Sequence, residues 1–135
     1  MSFRVTRPQD VPTVPTPNGV VTWHPVRHHL AISAFGCNAY TGNAGDVVVE
    51  LHDEDAHEEL YVVLHGAARF TVDGEEFAAP QGTLVLVTPP SHRVAVATAP
   101  DTTVLAVGAE PGRAYEISEW ERRWRAEAAP GASPS

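Results

Sequence analysis

The chain has no lysine and only one cysteine among its 135 residues. A lone cysteine, Cys37, excludes an internal disulfide and any cysteine-based metal motif. It reads as a small buried hydrophobe, because no base stands beside it in the sequence to activate a thiol. The nine basic residues are all arginines and form no stripe, and the net charge is −8. That balance argues against nucleic acid and anionic membranes as partners, since both recruit clustered positive charge. No apolar run approaches the roughly 20 residues that span a bilayer. The opening stretch, Met1-Ser-Phe-Arg-Val-Thr-Arg-Pro8, has no apolar core of the kind that makes a secretory signal. The expected location is therefore cytoplasmic. Internal repeats are also lacking.

What is present is a series of short β-rich segments separated by turn residues. Residues 1–18 carry Pro8, Pro12, Pro15 and Pro17 with little periodicity, and are expected to form an extended arm. Residues 129–135, rich in Ala, Pro, Gly and Ser, are expected to be a disordered tail. Between them, strands are expected over 30–35, 47–51, 59–64, 67–72, 75–78, 83–87, 92–97 and 102–107. In 67–72 the alternation puts Ala68, Phe70 and Val72 on one face and Arg69 and Thr71 on the other. Asp73-Gly74 is a strong two-residue hairpin signal, because both positions must take positive φ. Turns recur about every 8 to 12 residues, the spacing of an antiparallel sandwich or barrel. One helix is expected near 118–128. Ser118-x-x-Glu121 fits a capping box, and Trp120, Trp124 and Ala128 share one helical face. That helix would cover an end or an outer face of the sheet. Residues 19–128 would form a single domain.

The chemistry concentrates in residues 50–66. Residues 50–59 hold two histidines, His52 and His57, and six carboxylates, and then run into an apolar strand ending at Gly66. Imidazoles and carboxylates at the mouth of a β-sheet are the donors that a divalent transition metal takes. Asp53, Asp55 and Glu58 read as solvated, as does His65 at its turn. His24, His28 and His29 lie before the barrel and read as surface or packing residues.

These residues resemble the cupin family of small β-barrels, whose first motif is G-x5-H-x-H-x3–4-E-x6-G and whose second is near P-x-G-x2-H. Glu59-x6-Gly66 matches the end of the first motif. Val72-Asp-Gly-Glu75, Ala79-Pro-Gln-Gly-Thr-Leu-Val85 and Pro89-Pro90 extend the resemblance over roughly residues 35–110. It implies an all-β, cupin-type antiparallel β-barrel (a jelly roll), here with an N-terminal arm and a C-terminal helix. The departures concern the site. Glu54 stands where the second histidine of the first motif belongs, and the spacer from Gly45 to His52 is one residue too long. Pro89-Pro90-Ser91-His92 lacks the glycine of the second motif. His92 takes the motif histidine's place only with a gap, and without one that place falls on Val94.

The resemblance implies one divalent transition metal ion, Fe, Mn, Ni or Zn. Its ligands would be drawn from His52, His57, Glu59 and His92, with Glu54 a further candidate. Tyr61 shares a strand face with Glu59, so Tyr61 and Glu54 are the candidate catalytic groups. Arg69 is expected to point outward. Three functions stay open at this point. One is a metal-dependent enzyme (oxygenase, isomerase, cyclase or lyase) acting on a small polar molecule. Another is a non-catalytic cupin that binds a small ligand as a sensor or store. The last is a structural module whose acidic loop is merely solvated. A homodimer is expected, because pairing would remove an open sheet edge.

Overall fold

Alternation of buried and more exposed side chains builds most of the strands. The computed structural model describes residues 2–16 and 19–128. A 3-10 turn at Pro8–Asp10 opens the chain. It is followed by β1 (Thr22–His24), α1 (Val26–Leu30), β2 (Gly36–Gly42), β3 (Val47–Glu54), β4 (Glu58–His65) and β5 (Ala67–Val72). Then come β6 (Glu75–Pro80), β7 (Leu84–Val87), β8 (Ser91–Ala97), β9 (Thr102–Ala109) and α2 (Glu119–Ala128). The strands form a five-stranded sheet in the order β1-β2-β9-β4-β7 and a four-stranded sheet in the order β3-β8-β5-β6. Every pairing between named strands is antiparallel. The all-β jelly roll expected from the sequence is therefore present.

The two sheets enclose one core. Val63 and Val104 of one sheet meet Phe70, Ala79, Ala95 and Ala97 of the other. The alanines on β5, β6 and β8 leave room for the rings of Tyr61 and Phe70, whose centroids lie 5.6 Å apart. Phe77 stacks on Phe70 from the other side. Burying such rings gives a large hydrophobic gain per side chain.

Between Val47 and Val49 the β3–β8 ladder shifts register. Val48 and Val49 are consequently both buried. A bulge of this kind re-aims the residues after it. Glu50, His52 and Glu54 all line the cavity at the barrel mouth, while Leu51 and Asp53 are exposed.

At the hairpin, Asp73 and Gly74 have φ of 50° and 85°, the double positive-φ turn that the Asp-Gly pair predicts. Arg69 points outward, as expected, toward Glu76. Residues 30–35 are not a strand. Leu30 ends α1, and Ala31 takes the left-handed conformation that closes it. The apolar residues there, Leu30 and Ile32, pack instead with Val11, Val26, Cys37 and Ala39 in a second cluster.

The N-terminal arm packs against its own barrel. Val14 bridges to Trp23, and Val11 is buried. His24, expected at the surface or in packing, is buried in β1 between the Val11 carbonyl and the Thr41 hydroxyl. The expected tail at 129–135 lies outside the described residues, as do Met1, Pro17 and Asn18 of the arm. No described helix is long and apolar enough to cross a membrane.

Candidate functional site: a carboxylate- and imidazole-floored cavity under the C-terminal helix

The barrel mouth opens into a cavity of about 450 Å³, within the usual range for a small-molecule site. Its floor comes from inward-facing residues of β3 and β4. His52, Glu54 and Glu59 each bring one ligand atom within 4.8 Å of the others. Three of the sequence candidates are thus gathered at one point, and they form a group that could hold a metal ion.

Glu59 is the hub of the floor. Its Oε1 accepts hydrogen bonds from the Tyr61 hydroxyl at 2.7 Å and from Arg93 Nη1 at 2.6 Å. His52 Nε2 lies 3.6 Å from the same oxygen. Space for this carboxylate is made by Gly108 across the ladder, where a Cβ would stand 2.8 Å from Glu59 Cγ. Burial alone would raise the Glu59 carboxyl, but the neighbouring His52, Tyr61 and Arg93 hold it below the ordinary carboxylate range. It is ionised at neutral pH.

His52 is oriented from behind. Its Nδ1 donates to the Glu50 carbonyl at 2.7 Å. The Nε2 lone pair therefore faces Glu59 and Arg93 Nη1, the latter 3.3 Å away. A backbone carbonyl on the far nitrogen is the arrangement that fixes a ligating imidazole. Glu59 beside it raises the affinity of His52 for a second proton, against the effects of burial and of Arg93.

Glu54 closes a tight turn, its Oε2 accepting the backbone N–H groups of Ala56 and His57. His57 lines the cavity but stands apart from the three-residue group. Its Nδ1 is 3.8 Å from Glu54 Oε1, and its ring lies 6.5 Å from that of Tyr115. Tyr61 is buried with its hydroxyl proton given to Glu59, and burial, then Glu59, push its ionisation far up. At neutral pH it is a hydrogen-bond donor.

His92 is not brought to the site, and the expectation that it is a ligand is corrected. It sits on the outward face of β8, with Nδ1 2.6 Å from Asp53 Oδ1 on the outward face of β3. Alternation along β8 turns its neighbour inward instead. Arg93 pairs with His52 in the ladder, is fully buried, and also bonds the Ser91 hydroxyl. On β8 the side chain that reaches His52 and Glu59 is thus a guanidinium and not an imidazole.

Of the two places expected for the C-terminal helix, an end or an outer face of the sheet, it takes the end, over the barrel mouth. Trp120 and Ser118 at the start of α2 line the cavity, with Tyr115 before them and Trp23, Asn38 and Tyr40 on β1 and β2. Trp120 and Trp124 both meet Trp23 edge-on, at 5.8 and 5.7 Å. The spacing of the two tryptophans was legible as a helical face. The sequence left open only whether that face covers an end or an outer face of the sheet. Ser118 caps the helix by accepting the Glu121 N–H at 3.2 Å, but the Glu121 side chain does not complete a capping box. It is buried against Arg27 of α1, which grips both of its oxygens. This pair ties the roof to the barrel.

A family model for the AraC-like ligand binding domain matches residues 39–126, more than half of the chain. The chain belongs to this cupin-type family. The AraC-like domain shares its fold with solved cupin structures. A predicted oxalate decarboxylase from Thermotoga maritima is 19% identical, with a TM-score of 0.66 over 79% of this chain and 99% of that one. A cupin protein from Bacteroides fragilis is 19% identical, with a TM-score of 0.62 over 90% and 95%. KdgF from Halomonas sp. is 18% identical, with a TM-score of 0.62 over 84% and 96%. At these identities the likeness is one of fold. No curated protein sequence matches the chain.

Proposed function

We propose that this AraC-like domain binds a small polar molecule in the cavity between the barrel mouth and α2. The observation that carries this reading is the cavity itself. It has a fixed polar floor of His52, Glu54 and Glu59, and a roof of Tyr115 and Trp120. A few converging polar groups beneath apolar walls is the usual form of a small-molecule site. Because Trp23 and Trp120 line it, occupancy is read directly in tryptophan fluorescence. The test is a small-molecule screen by thermal shift and fluorescence, repeated on Tyr115→Ala and Trp120→Ala. True ligands lose affinity in both variants. Ligands indifferent to both would place binding elsewhere and sink the reading.

A second reading adds a divalent transition metal, and the orientation of His52 favours it. One imidazole with its Nε2 lone pair presented, and two carboxylates, suit Fe, Mn, Ni or Zn as donors. His52, Glu54 and Glu59 would hold the ion, and His57 is near enough to Glu54 to join after a small shift. Arg93 limits the fit, since a buried cation already stands against Glu59 Oε1. A bound ion would polarise an oxygen of the ligand. Glu54 and Tyr61 would then be the protein groups beside the reacting molecule, Tyr61 as a hydrogen-bond donor that also steadies Glu59. Elemental analysis of the purified protein, with His52→Ala and Glu59→Ala alongside, decides it. About one equivalent of metal, lost in both variants, supports the metal centre and makes an enzyme the leading function. A metal-free protein after incubation with Fe(II), Mn(II), Ni(II) and Zn(II) leaves the ligand-binding reading alone.

A further inference from the structure

We propose that the ligand of this cavity carries an organic cation, an ammonium or guanidinium head group. The inference rests on the ligand-binding reading above and adds the ligand's chemical class. Four carboxylates line the space, Glu50, Glu54, Glu59 and Glu119. No lysine or arginine does so among the described residues, and the guanidinium nearest the floor, Arg93, is fully buried against Glu59. Four acidic residues therefore line the cavity against the imidazoles of His52 and His57, with the Arg93 guanidinium buried against Glu59, and a cleft in which one charge sign prevails concentrates counter-ions.

The walls favour an organic cation in particular. The aromatic residues Tyr40, Tyr115 and Trp120 line the same space. An aromatic face attracts a desolvated ammonium, and adds nothing comparable for a neutral group of the same shape. An anion would meet a lining that holds four acidic residues. The N-terminus of α2 would attract an anion. Its partial positive charge is answered within the chain by the Ser118 cap and by Glu119 and Glu121 in the first turn.

The test titrates the full chain, in the presence of a chelator, with choline, agmatine, the neutral choline isostere 3,3-dimethylbutan-1-ol, and xylitol. Calorimetry and tryptophan fluorescence are the readouts. At least one of the two cations is expected to bind saturably, with choline about tenfold tighter than its isostere. Cation binding is expected to weaken with added salt, and to fall in both Glu119→Gln and Trp120→Ala, whose folding is checked by circular dichroism. Equal binding of choline and its isostere overturns the proposal, as does failure of both cations. If xylitol binds while both cations fail, the cavity remains a ligand site and only the charge assignment is lost. Cation binding that Trp120→Ala leaves intact, and that Mn(II) abolishes in a titration without the chelator, shows a carboxylate ion-exchange effect, and also overturns it.

Discussion

Arg93 is buried completely, and its Nη1 lies 2.6 Å from Oε1 of Glu59. Removing one partner of such a pair strands the other charge in a low-dielectric interior, at a cost of about 3 to 5 kcal/mol. Arg93→Met is therefore expected to destabilise the domain by that order in urea denaturation. Arg93→Met combined with Glu59→Gln should recover a substantial part of the loss. A double variant no more stable than Arg93→Met would show that the pair is not coupled.

The roof depends on a second buried pair. Arg27 and Glu121 are each nearly inaccessible, at 10% and 4% side-chain exposure. Glu121→Gln keeps the shape and removes the charge, leaving Arg27 uncompensated. It should loosen α2 at a cost of about 3 kcal/mol or more. The specific sign is a red shift of tryptophan emission before the main unfolding transition, as Trp120 and Trp124 leave Trp23. Loss of stability with no such shift would mean that α2 stays seated without the pair.

Cys37 provides the pH dependence. Burial pushes its thiol up from 9.0 to about 11. The folded state thus prefers the neutral thiol more than the unfolded chain does. The resulting stability is complete below the unfolded value and is lost as pH rises from 9.0 toward 11. A Cys37→Ala variant should show a flatter stability profile over that window. In the native protein at pH 8, a thiol reagent should react only at the rate of unfolding, and promptly in denaturant.

Two positive-φ glycines separate strain from crowding. Gly66 has φ +75°, and a Cβ there would stand 2.3 Å from Thr102 Oγ1. Gly74 has φ +85° with nothing within 4 Å of a Cβ. Gly74→Ala should cost about 1 kcal/mol through the backbone alone. Gly66→Ala should cost on the order of 3 kcal/mol, because overlap with Thr102 is added to the strain. Equal melting temperatures for the two variants would refute the crowding at Gly66.

A homodimer is expected. β7 is an edge strand of the five-stranded sheet, and its outward residues Leu84 and Leu86 are 65% and 59% exposed. Apolar edge strands invite pairing. Light scattering at micromolar concentration should give twice the chain mass, falling to one chain in Leu84→Glu/Leu86→Glu. A monomeric wild type would refute this.

Local chemistry made most of the barrel legible. Alternation placed β5 at 67–72, Asp73-Gly74 named its own turn, and Glu59-x6-Gly66 marked the inward face of β4 on which Glu59 and Tyr61 sit. Those features depend on neighbours within a few residues, so the sequence alone determines them. Residues 30–35 misled because β-rich composition says only that a segment is to be buried. Here Leu30 and Ile32 are partly buried against Val11 of the arm, Val26 of α1 and Cys37 and Ala39 of β2, and not in a sheet of their own.

The site followed the same division. His52, Glu54 and Glu59 were recoverable from spacing, since one bulged strand and its neighbour carry all three. The choice of Arg93 over His92 was not, because it turns on the parity of β8 against β3. One residue of register exchanges the inward and outward faces. The roof of Tyr115 and Trp120, and the turning of Glu121 from a helix cap to Arg27, required α2 to be laid across the mouth. Only the tertiary structure decides that, because the surfaces that hold α2, Trp23 and Arg27, lie about a hundred residues earlier in the chain.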